Sequence, residues 1–195
     1  MTKVSVITPT WDRHEFLLDR SAPSVQAQTH PDVEHVIVSD GPGDLPGFLA
    51  FQEHRHLVVL DHLAEHDPGA RWGHWARLRG IELARGEYIT YLDDDDSYRP
   101  EHCELLAAAL DAAPGADFAY SKMSMQGVVV GQDPPAYCQI GTPMIMHRRS
   151  CLEFGTWEQS YPSIDWDLVS RWLAAGAKYV HLPVVTVDVW PSAYR

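Results

Sequence analysis

Cysteine is scarce in this chain: three residues in 195, Cys103, Cys138 and Cys151, none of them in a CxxC pair. That leaves no zinc knuckle and no thiol redox motif, and the three are expected as reduced thiols. Basic charge is also short. Fifteen Lys and Arg stand against 27 Asp and Glu, a formal net charge of −12. A surface of that sign repels phosphate backbones and anionic lipid, so nucleic acid and membrane surfaces are poor partners. Long apolar runs are missing as well. No stretch approaches the roughly 20 residues of a membrane-spanning helix, and residues 4–7 are too short for a signal-peptide core. The expectation is a soluble, cytoplasmic protein, and nothing in the sequence opposes a homo-oligomer. What is present is ordinary for a globular chain: 45% hydrophobic and 22% charged residues, enough to bury the core of one domain.

Strand and helix signals alternate in the first half. Residues 4–8 are β-branched and bounded by Pro9, and read as a buried strand. Residues 15–28 place Phe16, Leu17, Leu18, Ala22 and Val25 on one helical face, with Pro23 inside to kink or divide it. A second strand, 35–39, ends at the loop signal Asp40-Gly41-Pro42-Gly43. A helix at 45–53, a strand at 56–60 and a helix at 73–84 follow, the last stopped at Gly86 in the manner of a glycine C-terminal cap. Then come a strand at 88–92, a helix at 100–112 and a strand at 117–121. Such alternation predicts an α/β fold with a mostly parallel central sheet flanked by helices, whose ligands bind beyond the carboxyl ends of the strands. After residue 121 the pattern changes. Residues 122–131 read as an extended hairpin arm, 140–147 as another extended piece, 163–175 as a helix, and 179–181 and 184–189 as short strands. We expect a single domain over residues 1–195, in two lobes.

The polar residues gather at the predicted strand ends. Asp93, Asp94, Asp95 and Asp96 are delivered to a turn by the apolar strand before them. Four adjacent carboxylates repel one another, and a divalent cation relieves this while bridging to phosphate oxygens; magnesium and manganese both accept such ligands. Asp96 or Ser97 could instead cap the next helix, which would explain one or two of the acids but not four. Asp40 could accept a hydrogen bond from a nucleobase imide or a ribose hydroxyl, or bond its own loop amides. Trp11 could stack on a base or pack in the core. Arg71, Arg77, Arg79 and Arg85 lie in and around one helix. Arg77 and Arg79 diverge on it, so one is expected on a motif aspartate or a diphosphate and the other in solvent. Asp165 and Asp167 open the helix at 163–175, and Asp165 could serve as general base for a hydroxyl or as a cap. Most histidines, including His62 and His66, read as surface or loop residues. His147 and His181 read as hydrogen-bonded core or site-edge groups.

Several blocks, in order across nearly the whole chain, resemble the family 2 glycosyltransferases of GT-A fold. Residues 4–13 look like the family's opening strand and its Pro-Thr-aromatic-Asn-Arg turn. Residues 24–29 resemble its Ser-Val-x-x-Gln-Thr block, and 36–41 its strand ending in Asp-Asp-Gly. Residues 76–81 are similar to Ala-Arg-Asn-x-Gly-Ile, and 84–96 to Ala-x-Gly-Glu-Tyr-Ile-x-Phe-Leu-Asp-x-Asp-Asp. Residues 164–168 resemble Glu-Asp-x-Asp-Leu. The resemblance implies inverting sugar transfer from a nucleoside diphosphate, a UDP-sugar favoured, to an acceptor hydroxyl, with Mn2+ or Mg2+. It implies that Pro9, Thr10, Trp11, Asp40, Arg77, Asp93 and Asp94 hold the donor nucleotide, that Asp95 binds the metal and that Asp165 is the catalytic base. Residues 1–121 become the nucleotide-binding half and 122–195 the acceptor side. Ser39, Leu78, Ile164 and Asp12 depart from the pattern, and only Asp188 or His181 offers a further metal ligand. Two competing readings are a sugar nucleotidyltransferase, which would carry a glycine-rich basic loop that residues 9–13 lack, and a non-catalytic or partner-dependent nucleotide-sugar binding protein.

Overall fold

The computed structural model of the chain describes residues 2–42, 55–67, 73–159 and 163–191. The helix expected at 45–53 and Arg71 lie outside these residues. Among the described residues nine strands form one sheet: β1 (Val4–Thr10), β2 (Val33–Ser39), β3 (Leu57–His62), β4 (Tyr88–Tyr91), β5 (Ser97–Tyr98), β6 (Phe118–Met125), β7 (Val128–Val130), β8 (Ile145–Arg148) and β9 (Tyr179–Val189). The spatial order is β3-β2-β1-β4-β8-β6-β9-β5, with β7 on β6. The first four pair in parallel. Since β8 lies antiparallel to both β4 and β6, β6 shares the direction of the first four, and β9 is parallel to β6. Six of the nine strands therefore run one way, as the α/β alternation requires.

The helices are α1 (His14–Phe16), α2 (Ala22–Gln26), α3 (His74–Leu83), α4 (His102–Ala112) and α5 (Ile164–Ala174). β1 and β2 are buried along their whole length, because helices cover both faces of a parallel sheet and leave no polar side. Alternate residues divide between the two cores: Ile7, Val36 and Tyr91 pack with Ala76 of α3 and Trp172 of α5, and Val4, Val6 and Tyr88 pack with Leu106 and Leu110 of α4. Two pairs of polar groups inside these strands meet each other, Ser5 donating to Glu34 at 2.6 Å and Thr8 Oγ1 meeting His35 Nε2 at 2.8 Å. An unmatched buried group would cost free energy at each position.

The structure redraws several expected elements. The helix at 15–28 is divided, α1 passing through a π-helical turn (Leu17–Ser21) into α2, whose first turn holds Pro23. A proline has no N–H for the helix interior but is tolerated in a first turn. Gly86 does not cap α3. The helix ends at Ala84 in an extended conformation, and a Cβ on Gly86 would stand 2.6 Å from both N and Oγ of Ser5. Glycine is needed there for backbone approach to β1, and its N–H donates to Ser5 Oγ at 2.7 Å. The piece at 140–147 begins with a 3-10 turn (Thr142–Met144) before β8. The two short final strands are one, β9, with a register irregularity against β6. The hairpin arm is present: β6 and β7 turn through Gln126 (φ 50°) and Gly127 (φ 86°), the left-handed pair of a type I′ turn.

In-register pairing of β1, β2 and β4 brings three carboxyl ends together. Thr10 is opposite Ser39 and Ile7 is opposite Tyr91, so Trp11, Asp40 and the acidic run all emerge at one edge of the sheet.

Candidate active site

Leu92 extends the β4 ladder by one bond to the Ile7 carbonyl (2.9 Å), and the chain then turns, Asp96 N donating to Asp93 O at 3.2 Å. The turn sends the four carboxylates to different partners. Asp93 has a side chain 36% exposed and takes an ion pair from the buried Arg77 at 2.5 Å. Asp94 is buried; it accepts from Thr10 Oγ1 and forms an ion pair with Arg13 Nη2, both at 2.8 Å. The same Arg13 nitrogen contacts Asp95 Oδ2, and the Asp95 carbonyl accepts from Arg20 Nη1 at 3.1 Å. Asp96 accepts from the backbone N–H of Trp190 at 3.1 Å.

Burial pushes the Asp94 carboxyl up to about 7, against the opposing pull of Arg13 and Thr10. Burial, reinforced by Asp93 and Asp95, pushes Asp96 up to about 8. The expectation that Asp96 or Ser97 caps the next helix is corrected. β5 intervenes, Ser97 pairs with Asp188 of β9, and α4 starts behind Glu101 with no side-chain cap.

Arg13 was not singled out by sequence reasoning, although the opening turn contained it. It is the cation that the crowded aspartates demand, supplied from the chain itself. Asp12 sits before it in the left-handed region (φ 49°), a conformation aspartate tolerates better than most residues.

On the other side of the turn, Trp11 and His66 stack with centroids 4.2 Å apart and planes 5° off parallel. His66 Nδ1 donates to the Asp40 carbonyl at 2.9 Å and lies 3.5 Å from Asp40 Oδ2. Burial raises the Asp40 carboxyl, with His66 opposing. Pro9 is buried in β1 against Gly73, where a Cβ would meet it at 2.6 Å. His66 is a loop residue, as the sequence suggests, and its ring stacks against Trp11 beside Asp40.

Asp165 opens α5 but does not cap it; Ser163 Oγ accepts from Trp166 N at 3.3 Å. Asp165 Oδ1 instead accepts from the hydroxyl of the buried Thr142. Burial lifts its carboxyl to about 6, with Thr142 and Arg77 opposing and Asp93 adding to the rise. Arg77 thus links the two acidic elements: it is paired to Asp93, acts electrostatically on Asp165, and lies 5.2 Å from the Trp157 ring. Thr142 carried no sequence signal, being one polar residue in an extended stretch. Thr142→Val removes a hydrogen bond that favours the charged form, so the Asp165 midpoint should rise by about one unit, and Thr142→Ser should leave it near the wild-type value. A carboxyl-carbon NMR titration measures both.

Other expected residues lie elsewhere. Arg79 pairs with Asp61 and Glu82, the solvated role foreseen for one of the two helix arginines. Asp167 pairs with Arg171. Asp188 forms a two-pronged pair with Arg99, and His181 Nε2 bonds the Gly131 carbonyl at 3.1 Å. His147 is a core group between Tyr91 OH (2.8 Å) and the Arg148 carbonyl (2.7 Å). Among the described residues no group of three or more His, Cys, Asp or Glu side chains could hold a metal, and no helix is long and apolar enough to cross a membrane.

A mostly parallel sheet with an acidic turn at the end of β4, an aromatic at the end of β1 and an acid at the end of β2 defines a GT-A type fold. Staphylococcus aureus TarS, solved with UDP-GlcNAc, superposes on 99% of this chain and 60% of its own with a TM-score of 0.79 at 18% identity. The Pyrobaculum calidifontis mannosyltransferase PcManGT, solved with GDP-Man and Mn2+, gives 0.71 at 16% identity, over 96% of this chain and 56% of its own. The sequence matches the glycosyl transferase family 2 profile over residues 5–150, and the chain belongs to that family. A Campylobacter jejuni relative, the GalNAc(5)-diNAcBac-PP-undecaprenol beta-1,3-glucosyltransferase, is 32% identical over 56% of this chain and 33% of its own length. An uncharacterized glycosyltransferase of Nostoc sp. is 28% identical over 77% of this chain and 52% of its own. The chain thus spans about a third to a half of these curated relatives.

Proposed function

We propose that this chain is an inverting glycosyltransferase that moves a sugar from a nucleoside-diphosphate sugar, a UDP-sugar in the first instance, to an acceptor hydroxyl. One observation carries the reading: Arg77 is ion-paired to Asp93 of the acidic turn and also acts electrostatically on Asp165, so that a candidate donor-holding acid and a candidate base feel one cation. Sugar transfer needs both, a place for the leaving diphosphate and a base for the incoming hydroxyl.

Trp11 and Asp40 would receive the nucleobase, by stacking and by a hydrogen bond. Arg77, buried and pointed at the turn, would hold the diphosphate. Asp165 takes the acceptor proton as the hydroxyl oxygen attacks the anomeric carbon and the diphosphate oxygen leaves. A carboxyl raised to about 6 is ionised at neutral pH yet more basic than a free one. Thr142 holds Oδ1 through its hydroxyl.

The donor set suits Mn2+ or Mg2+. It is all oxygen, and hard cations of this kind take one or two carboxylates and complete their shell with substrate phosphate and water. A three-residue protein cage is therefore not required. Asp95, which contacts Arg13, would be the direct ligand, with Asp93, which pairs with Arg77, beside it. The ion supplies charge stabilisation for the departing diphosphate.

UDP is favoured because the TarS structures hold UDP and UDP-GlcNAc; the GDP-Man of PcManGT makes GDP the comparison to run. Calorimetric titration with UDP, GDP and dTDP, with and without Mn2+, tests the assignment. UDP should bind tightest, and Mn2+ should strengthen it at least about tenfold. Binding of no nucleotide, or binding indifferent to the metal, would overturn it.

A further inference from the structure

His66 stands where the nucleobase is to be received. Its imidazole lies flat on Trp11, 4.2 Å away and 5° from parallel, and donates through Nδ1 to the Asp40 carbonyl at 2.9 Å. These are the stack and the hydrogen bond that a base would make with the same two residues. The fit is close on the remaining side too: at Gly41 (φ 130°) a Cβ would fall 2.4 Å from Trp11 Cζ3 and 2.8 Å from His66 Cβ. The imidazole nevertheless satisfies Asp40 incompletely. Oδ2 is 3.5 Å from Nδ1, and Oδ1 is buried with no hydrogen-bond partner among the described residues. A buried acceptor without a donor is unfavourable, and a base with a ring N–H facing the carboxylate would correct what a histidine cannot.

We propose that His66 is an affinity-determining residue of the donor site, holding the nucleobase position in the free protein and leaving Trp11 when a nucleoside diphosphate binds. The inference rests on the assignment of Trp11 and Asp40 as the base seat. The side chain has somewhere to go, being already 29% exposed, so a rotamer change carries the ring into solvent without moving β1 or β2. The consequence for binding is arithmetic. A ligand that needs the vacant state has its apparent dissociation constant raised by the inverse of the vacant fraction. A seat vacant about 10–20% of the time weakens the nucleotide about five- to tenfold.

The test is calorimetric titration of UDP, with Mn2+ present, into the full chain and into His66→Ala and Trp11→Ala. His66→Ala should bind UDP about five- to tenfold tighter, while Trp11→Ala should bind it at least about tenfold weaker. A proton NMR titration supplies the geometric readout: the His66 Cε1–H resonance, shifted upfield by the Trp11 ring current, should move downfield as UDP is added. Equal or weaker binding by His66→Ala overturns the proposal, since His66 would then be a wall of the site and not its occupant. An upfield resonance retained at saturating UDP overturns it as well. If Trp11→Ala binds UDP as the unmutated chain does, the base seat itself is misassigned, and the proposal falls with it.

Discussion

Asp165→Asn is expected to lower sugar transfer by about 10²–10⁴-fold, the usual worth of a general base, and at the same time to make the protein more stable. Asparagine keeps the shape and can still accept the Thr142 hydrogen bond, so the packing of α5 is preserved. What it loses is the ability to take a proton. The stability gain follows from the sign of the shift. The carboxyl is raised from 3.8 to about 6 by burial, so above pH 6 the folded protein carries an ionised group that folding disfavours. That penalty amounts to about 1–3 kcal/mol. It is fully present above about pH 6 and disappears below the unfolded value near 4. Thermal denaturation at pH 8 should show the variant melting above the unmutated chain, and the two curves should converge by pH 4. In the unmutated chain the acid limb of the turnover profile should fall below about pH 6. A variant that transfers sugar at the original rate would end the assignment of Asp165 as base, whatever its stability.

Asp95→Ala should abolish the strengthening of UDP binding by Mn2+ and reduce transfer by about 10²–10³-fold, equivalent to the several kcal/mol a metal contributes at a developing charge. The fold should survive. Arg13 retains Asp94 as its partner at 2.8 Å, and Arg20 bonds the backbone carbonyl of residue 95, which alanine also has. Asp188→Ala is the matched control, because that carboxylate is committed to Arg99 near the end of β9. It should leave both the metal effect and transfer unchanged. Manganese-dependent UDP binding that persists in Asp95→Ala would remove Asp95 from the metal site and pass the role to Asp93 or Asp94.

Some features of this site were legible from local pattern. The strands before Trp11, Asp40 and Asp93 are short, rich in Val, Ile and Tyr, and end in polar residues, and a sheet buried on both faces favours that pattern. The pairing of one helix arginine with a motif aspartate also followed from spacing, since residues two apart on a helix diverge. Arg77 is buried on Asp93, and Arg79 is solvated beside Glu82. The contacts that were not legible join residues far apart in the chain: Arg13 to Asp94 and Asp95, Trp11 to His66, Thr142 to Asp165. Each has at least one member in a turn or loop where no periodicity marks a partner.

Two local readings failed for a related reason. Gly86 has the position of a helix cap, and Asp96 the position of a helix start. Both were claimed by tertiary neighbours, Ser5 and Trp190, brought close by sheet pairing.

By itself, then, the sequence determined that four carboxylates would emerge together at the end of a buried strand, because hydrophobic pattern and chain order set where strands end. Only the tertiary structure decided which carboxylate meets which cation. That choice depends on the direction each side chain takes around a tight turn and on what distant segments pack against it. Asp93 went to Arg77, Asp94 and Asp95 to Arg13, and Asp96 to the backbone of Trp190.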